Sequence, residues 1–298
     1  MADQENLNSP AQIRHRIGAN GSFSLNNVSG DIRLRGNDGD EVVVTARWES
    51  GGDDRPLPLV VRRSDGALHV ETDEGSGWFQ FRNRGGIDFD VSVPAGARVD
   101  VQAVSADIDS HGLLGDQQYK AVSGDLTIVA VGGRVSATTV SGDVRLNGAQ
   151  PLEANVTTTS GDGEISAPLF QPLRIRTVSG DMSVRGGFAG GPQHTVETVS
   201  GDLSIEAASG LTVDTKRGLD FTKKEHTPVV VGDGKANLRF RSLSGDVDLS
   251  WVSGPAAFAA EQPQMSTEDS LEILRALERG EIDVEEASRR LEGASSHG

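Results

Sequence analysis

The sequence predicts an all-β protein: a β-solenoid, single-stranded and β-helix-like, with coils of about 18–21 residues and a small C-terminal α-helical hairpin. Three observations predict it. The tripeptide Ser-Gly-Asp occurs seven times: Ser29-Gly30-Asp31, Ser123-Gly124-Asp125, Ser141-Gly142-Asp143, Ser160-Gly161-Asp162, Ser179-Gly180-Asp181, Ser200-Gly201-Asp202 and Ser244-Gly245-Asp246. An eighth copy, Ser105-Ala106-Asp107, differs only in its middle residue. From position 106 the middle residues fall at 106, 124, 142, 161, 180 and 201, in steps of 18, 18, 19, 19 and 21. A fixed period of this size marks one structural unit stacked on itself. Third, apolar and polar residues alternate on both sides of most copies, the period-2 signature of a strand with one buried face.

Taken in order, residues 1–10 are polar and read as a disordered N-terminus. Residues 11–102 read as a β region that caps or starts the stack. Within it Phe23, Leu25 and Val28, then Ile32 and Leu34, then Val42, Val43, Val44 and Ala46 mark strands, and Asn37-Asp38-Gly39-Asp40 reads as a hairpin turn. Leu59–Arg62 and Leu68–Glu71 follow around the turn Ser64-Asp65-Gly66, and Ile87–Val93 alternates until Pro94. Between them a glycine-rich, charged loop carries Trp78, Phe79 and Phe81, which are candidate contact residues or a cover for an open end.

Residues 103–254 form the repeats. Aligned on the motif glycine, position −5 holds Val101, Tyr119, Ala137, Val156, Ile175, Val196, Val213 and Phe240, with Val213 assigned to a broken copy at Gly218. Position +4 holds Ile128, Leu146, Ile165, Val184, Ile205 and Leu249, so each unit reads strand, turn, strand, turn. Position −3 holds Thr139, Thr158, Thr177, Thr198 and Thr215, a column whose hydroxyls are expected to bond one another. Residues 255–265 are a linker, 266–293 a helical hairpin and 294–298 a disordered tail. In the hairpin the apolar spacing changes to three or four, with Leu271, Leu274, Leu277, Val284 and Leu291 on its apolar faces. Helices of about ten residues are unstable alone in water, so those leucines and valine are candidate interaction residues.

Composition narrows the function classes. With 44 acidic and 28 basic residues the net charge is −16, which repels nucleic acid and anionic lipid. There are no cysteines, hence no disulfides and no thiolate chemistry. The opening residues lack a signal-peptide pattern, and no apolar run is long enough to insert in a membrane, so a cytoplasmic location is expected. His15, His69, His111, His194, His226 and His297 are scattered, and no phosphate loop, dinucleotide fingerprint or nucleophile elbow is present. No catalytic residue, cofactor or metal is expected.

The motif residues explain themselves as turn builders: glycine adopts positive φ freely, and Asp or Ser can accept bonds from the turn's own backbone. An in-register Asp column sets like charges about 4.8 Å apart, so either backbone N–H groups hold each carboxylate or cations sit between them. Calcium β-rolls use a related Gly-x-Asp text but in repeats of nine, and calcium is not expected here.

Val28-Ser29-Gly30-Asp31-Ile32, Val91-Ser92-Val93-Pro94-Ala95-Gly96-Ala97-Arg98-Val99 and the serial Thr-Val-Ser-Gly-Asp copies resemble the bacterial β-repeat family labelled "putative adhesin", which includes LiaX- and YvlB-type proteins. The resemblance covers about residues 20–250, and the tail from Leu271 to Glu292 is similar to short helical hairpins attached to that family. It implies a β-solenoid without known catalytic residues, tied in some members to envelope stress or surface binding. The expected function is a non-enzymatic scaffold for protein partners or self-association, in an envelope-stress or membrane-associated assembly. Two alternatives stand beside it: a self-assembling cytoskeletal-like β-helix, and a β-helix that binds or cleaves carbohydrate.

Overall fold

The structure is a computed structural model, and it describes residues 7–51, 55–73, 85–217 and 228–251. The loop with Trp78, Phe79 and Phe81 lies outside the described residues, as does the segment with Leu271, Leu274, Leu277, Val284 and Leu291.

Alternating apolar residues on either side of each Ser-Gly-Asp corner produce two parallel ladders, one entering the corner and one leaving it. The entering ladder begins Ala67–Thr72, Ser22–Ser29, Arg98–Ser105, Gln117–Ser123. It continues through residues 135–141, 152–157 and 173–176 to Gln193–Ser200 and Ala236–Ser244. The leaving ladder runs Ile87–Pro94, Ile32–Asn37, Ile108–His111, then residues 126–129 and 144–147. It ends with residues 163–170, Met182–Phe188, Leu203–Ala207 and Val247–Trp251. The two strands read in each unit therefore build two ladders, because each coil turns at the corner and lays one strand on each side of the core.

In three units the second expected turn is a bend inside a long strand, whereas Ile108–His111 and Gln117–Ser123, like Met182–Phe188 and Gln193–Ser200, remain separate strands. Leu126–Ser141, Val144–Thr157 and Gly163–Arg176 each run from one corner to the next, and pairing shifts register at 129–133, 147–154 and 167–169. Ala130, at φ 56, and Gly133, at φ 72, make the bend in the first of them. A bulge curves a strand without breaking its hydrogen bonds on either side, which lets one strand serve both ladders.

Inward residues fill the space between the ladders. Leu126, Ile128, Leu146, Val184 and Ile205 are at most 1% exposed. Phe23, Leu25, Ile32, Leu34, Phe170 and Phe240 join them in one continuous core. Each such side chain contributes roughly 1.5–3 kcal/mol by leaving water.

At both ends the order in space departs from the order in sequence. The coil containing Asp31 sits between the coil of residues 67–94 and the coil of residues 98–111. The hairpin expected at Asn37–Asp40 does not form. Glu41–Trp48 instead lies antiparallel on Ile87–Pro94, whose other edge holds Ile32–Asn37. Ala11–Arg16 then pairs antiparallel with Glu41–Trp48, and Leu59–Ser64 with Ala67–Thr72. Antiparallel strands thus close this end. At the far end Ala236–Ser244 is inserted between Gln193–Ser200 and Leu211–Arg217. Alignment on Gly218 sets Val213 beside Phe240, but the observed register pairs Val213 with Leu238 and Thr215 with Phe240. The broken copy is a covering strand, two residues out of phase with the motif.

The threonine column also departs from expectation. Thr139 and Thr158 are 2% exposed, yet their hydroxyls, like that of Thr198, have no hydrogen-bond partner among the described residues. Thr177 donates to the Ser179 carbonyl, 3.2 Å away, and not to another threonine. The side chains point into the stack, and the Ser179 carbonyl that Thr177 reaches also accepts the Gly161 N–H. A buried hydroxyl without a partner costs about 1–3 kcal/mol. Thr158→Val, which keeps the shape, is therefore expected to raise stability by about 1 kcal/mol in denaturant unfolding. A loss of that size would show that Thr158 is bonded.

Candidate functional site: the Ser-Gly-Asp corner

Each corner stacks directly on the next. At Gly161 φ is +136, and a Cβ there would overlap the Gly142 carbonyl of the adjacent coil. Gly161 donates its N–H to the Ser179 carbonyl at 3.3 Å, and Gly142 to that of Ser160 at 3.2 Å. Glycine is needed both for its conformation and for the close approach of backbone to backbone.

The aspartates answer the like-charge question through the backbone. Oδ1 of Asp107 accepts the Asp125 N–H at 2.9 Å. Asp125, Asp143, Asp162, Asp181 and Asp202 likewise accept the N–H of Asp143, Asp162, Asp181, Asp202 and Asp246, each at 2.8 Å. Each carboxylate is thus tied to the next coil by one oxygen and solvated at the other. At the Gly30 rung the pattern changes: the Asp31 carboxylate pairs with Arg33 at 3.0 Å, and burial raises its pKa against that pairing. Asp143→Ala is expected to cost about 1 kcal/mol, the worth of one local hydrogen bond, while Asp143→Asn keeps the acceptor and stays near wild type. Equal losses in both variants would mean that charge, not the bond, holds the rung. Among the described residues no three His, Asp or Glu converge as metal ligands.

Of the sequence-predicted residues, Ser29 with Gly30, Ser123 with Gly124, Ser179 with Gly180, Ser200 with Gly201, Ser244 with Gly245 and the corresponding aspartates all sit in this one column. Around it run ion pairs between coils: Arg176 to Glu197 at 3.1 Å, Arg241 to the same Glu197 at 3.5 Å, Arg134 to Glu153 at 3.0 Å and Arg185 to Glu206 at 2.6 Å. Exposed pairs contribute little stability, about 0–1 kcal/mol each.

Two features were missed in the sequence reading. The first is an aliphatic column on the outer surface, one residue ahead of each motif serine. Val104, Val122, Val140, Val178, Val199 and Leu243 are 45–50% exposed, with half-buried Val28 at one end and Thr159 as the single polar member. Its signal was present: in Thr-Val-Ser-Gly-Asp, a strand that turns threonine inward must turn valine outward. The second is His194, fully buried beside Phe188, whose ring meets it edge-on with centroids 5.3 Å apart.

His194 Nδ1 accepts the Leu173 N–H at 3.1 Å, which assigns the ring proton to Nε2, donating to the Ala189 carbonyl at 3.0 Å. Burial holds its pKa below the ordinary histidine value, with Ala189 opposing and Arg174 adding to the effect. A histidine whose pKa is lowered by folding stabilises above its unfolded value, near 6.5, and loses that contribution as pH falls through the folded value. The melting temperature should therefore drop as pH is lowered below about 6.5, with a shallower slope in His194→Gln. Identical pH slopes would place the acid sensitivity elsewhere. Buried Tyr119 is another polar core group: it accepts from Ser110 at 2.6 Å and donates to Gln117 at 3.0 Å, and burial pushes its pKa far above the usual phenol range.

A parallel β-solenoid stacked on a repeated Ser-Gly-Asp corner defines the structural class of this chain. The Toastrack DUF4097 model matches residues 22–250, and the chain belongs to that family. No curated protein matches it. Among solved structures it is similar to a "putative adhesin" from Bacteroides fragilis, at 15% identity and TM-score 0.41, covering 79% of this chain and 95% of that one. A "putative adhesin" from Parabacteroides merdae has 12% identity and TM-score 0.27, covering 82% and 94%. A "putative cell adhesion protein" from Clostridium sporogenes has 12% identity and TM-score 0.28, covering 82% and 100%.

Proposed function

We propose that this chain is a non-enzymatic scaffold that binds protein through its outer surface, within an envelope-stress or membrane-associated assembly. The exposed aliphatic column carries the reading. Aliphatic side chains repeated at the same solvent-facing position in nearly every coil contribute nothing to the core, and an ordered apolar stripe favours contact with another protein. Two further observations weigh against the alternatives. Coil-on-coil filaments need an open end, whereas antiparallel strands cover the outer coil at residues 67–94. Sugar platforms need exposed aromatics, and among the described residues Trp251 is the one large aromatic side chain on the surface.

Crosslinking mass spectrometry on cells expressing the wild-type chain or Val122→Arg/Val140→Arg/Val178→Arg tests the reading. The expected result is a set of partners lost in the variant while its melting temperature stays unchanged. An identical partner set in both would remove the stripe from the function.

A further inference from the structure

We infer that the aliphatic stripe binds a second copy of this chain, in a parallel dimer whose twofold axis runs along the stripe. This rests on the scaffold reading and names its partner. The first argument is pitch. Successive rungs of Val28, Val104, Val122, Val140, Thr159, Val178, Val199 and Leu243 are one strand spacing apart, about 4.8 Å. A helix laid along them repeats every 5.4 Å or so and slips by a whole rung over eight. An extended strand repeats its face about every 6.6 Å and fits no better. A second copy of the same stack repeats at the same spacing and meets every rung in phase.

The second argument is charge. On one side of the stripe stands the column Asn26, Gln102, Lys120, Thr138, Thr157, Arg176, Glu197 and Arg241, and on the other stand the motif serines, while the carboxylates belong to the leaving ladder's outer side, where Asp31 pairs with Arg33. A twofold axis along the stripe sets the charged column of each copy against the uncharged serines of the other at the same level. A twofold axis across the middle of the stripe would instead set Lys120 against Arg176 of the second copy. Like charges repel, so the parallel arrangement is selected.

The third is area. Eight rungs by five residues of strand span roughly 38 Å by 16 Å, about 600 Å² before surface relief is counted. That is close to the about 800 Å² that each partner gives to a standard interface.

The chain has no cysteine, so single cysteines report the geometry directly. Val104→Cys, Val122→Cys, Val140→Cys, Val178→Cys and Val199→Cys are made in the full chain and treated with a short bismaleimide, with Ser204→Cys on the other ladder as control. A parallel twofold axis brings each cysteine beside its own copy, so all five should give crosslinked dimers and the control should not. Sedimentation should show a dimer whose dissociation constant rises at least 100-fold in Val140→Arg/Val178→Arg, with the melting temperature unchanged. Crosslinking at the middle rung alone would mean an antiparallel pair and overturn the proposal. A wild-type chain that stays monomeric across the concentration series, or crosslinks no better than the Ser204→Cys control, would also overturn it. In those cases the stripe-dependent capture of foreign proteins still decides the scaffold reading separately.

Discussion

Replacing Gly161 with alanine is expected to lower unfolding stability by about 3–5 kcal/mol. Two costs combine. A φ of +136 lies where residues with a side chain rarely go, worth about 1–3 kcal/mol. The new Cβ also overlaps the Gly142 carbonyl, which is backbone and cannot swing aside, so the rungs must separate and strain the bonds from Gly142 to Ser160 and from Gly161 to Ser179. Gly18→Ala separates the two costs. Gly18 has φ +78 with open space around it, so only the conformational cost applies, about 1–2 kcal/mol. Denaturant unfolding of both variants checks the argument. Equal losses would mean that the close stacking of corners carries no weight.

Phe170→Ala is expected to cost a similar 3–5 kcal/mol, for a different reason. Phe170 is fully buried, and its ring lies 5.5 Å from that of Phe188, which in turn meets His194. Removing it leaves a cavity that the neighbouring strands, fixed by hydrogen bonds to the coils on either side, cannot close. Coils contact only their neighbours, so the damage should stay local. Hydrogen exchange should speed up across residues 163–207 and remain slow across residues 22–37. Uniform acceleration through the whole stack would contradict nearest-neighbour stability.

Much of this fold is legible in the sequence because one signal is repeated. Each Ser-Gly-Asp marks a corner, and the alternation beside it tells which residues face inward, as Leu126, Leu146 and Ile205 do. What was not legible depends on pairing between distant segments. Nothing near Asn37–Asp40 says that Ile87–Pro94 will enter between the strands on either side of that turn. Nothing in Leu211–Arg217 says that Ala236–Ser244 will take the place beside Gln193–Ser200. Turn chemistry is local and a ladder's neighbours are not. The threonine column shows a subtler limit: spacing aligned Thr139, Thr158 and Thr177, but which of these hydroxyls reaches an acceptor depends on the local geometry of each coil.

The corner also carries different weights of information. Glycine and aspartate announce their roles through residue type, since one meets a backbone and the other holds an amide. The valine between threonine and serine looks like ordinary strand text, and only the direction of its side chain makes it a surface feature.

The displaced coils at the two ends determine how such a stack can change length. The coil with Asp31 is locked in place by residues 67–94 that come later in the chain, and Ala236–Ser244 slides in beside Gln193–Ser200 only after Leu211–Arg217 has been made. Trimming beyond the edge strands Ala11–Arg16 and Val247–Trp251 therefore does not continue to peel off outer layers. It pulls out a layer from within and leaves its outer neighbour without a seat. Residues 117–200, where space and sequence run in step, have no such constraint, and duplicating or deleting one whole unit there moves the two ends apart or together without altering either. Lineages of this protein should accordingly vary in the number of middle units while both ends stay constant, as a bookshelf gains volumes between fixed bookends.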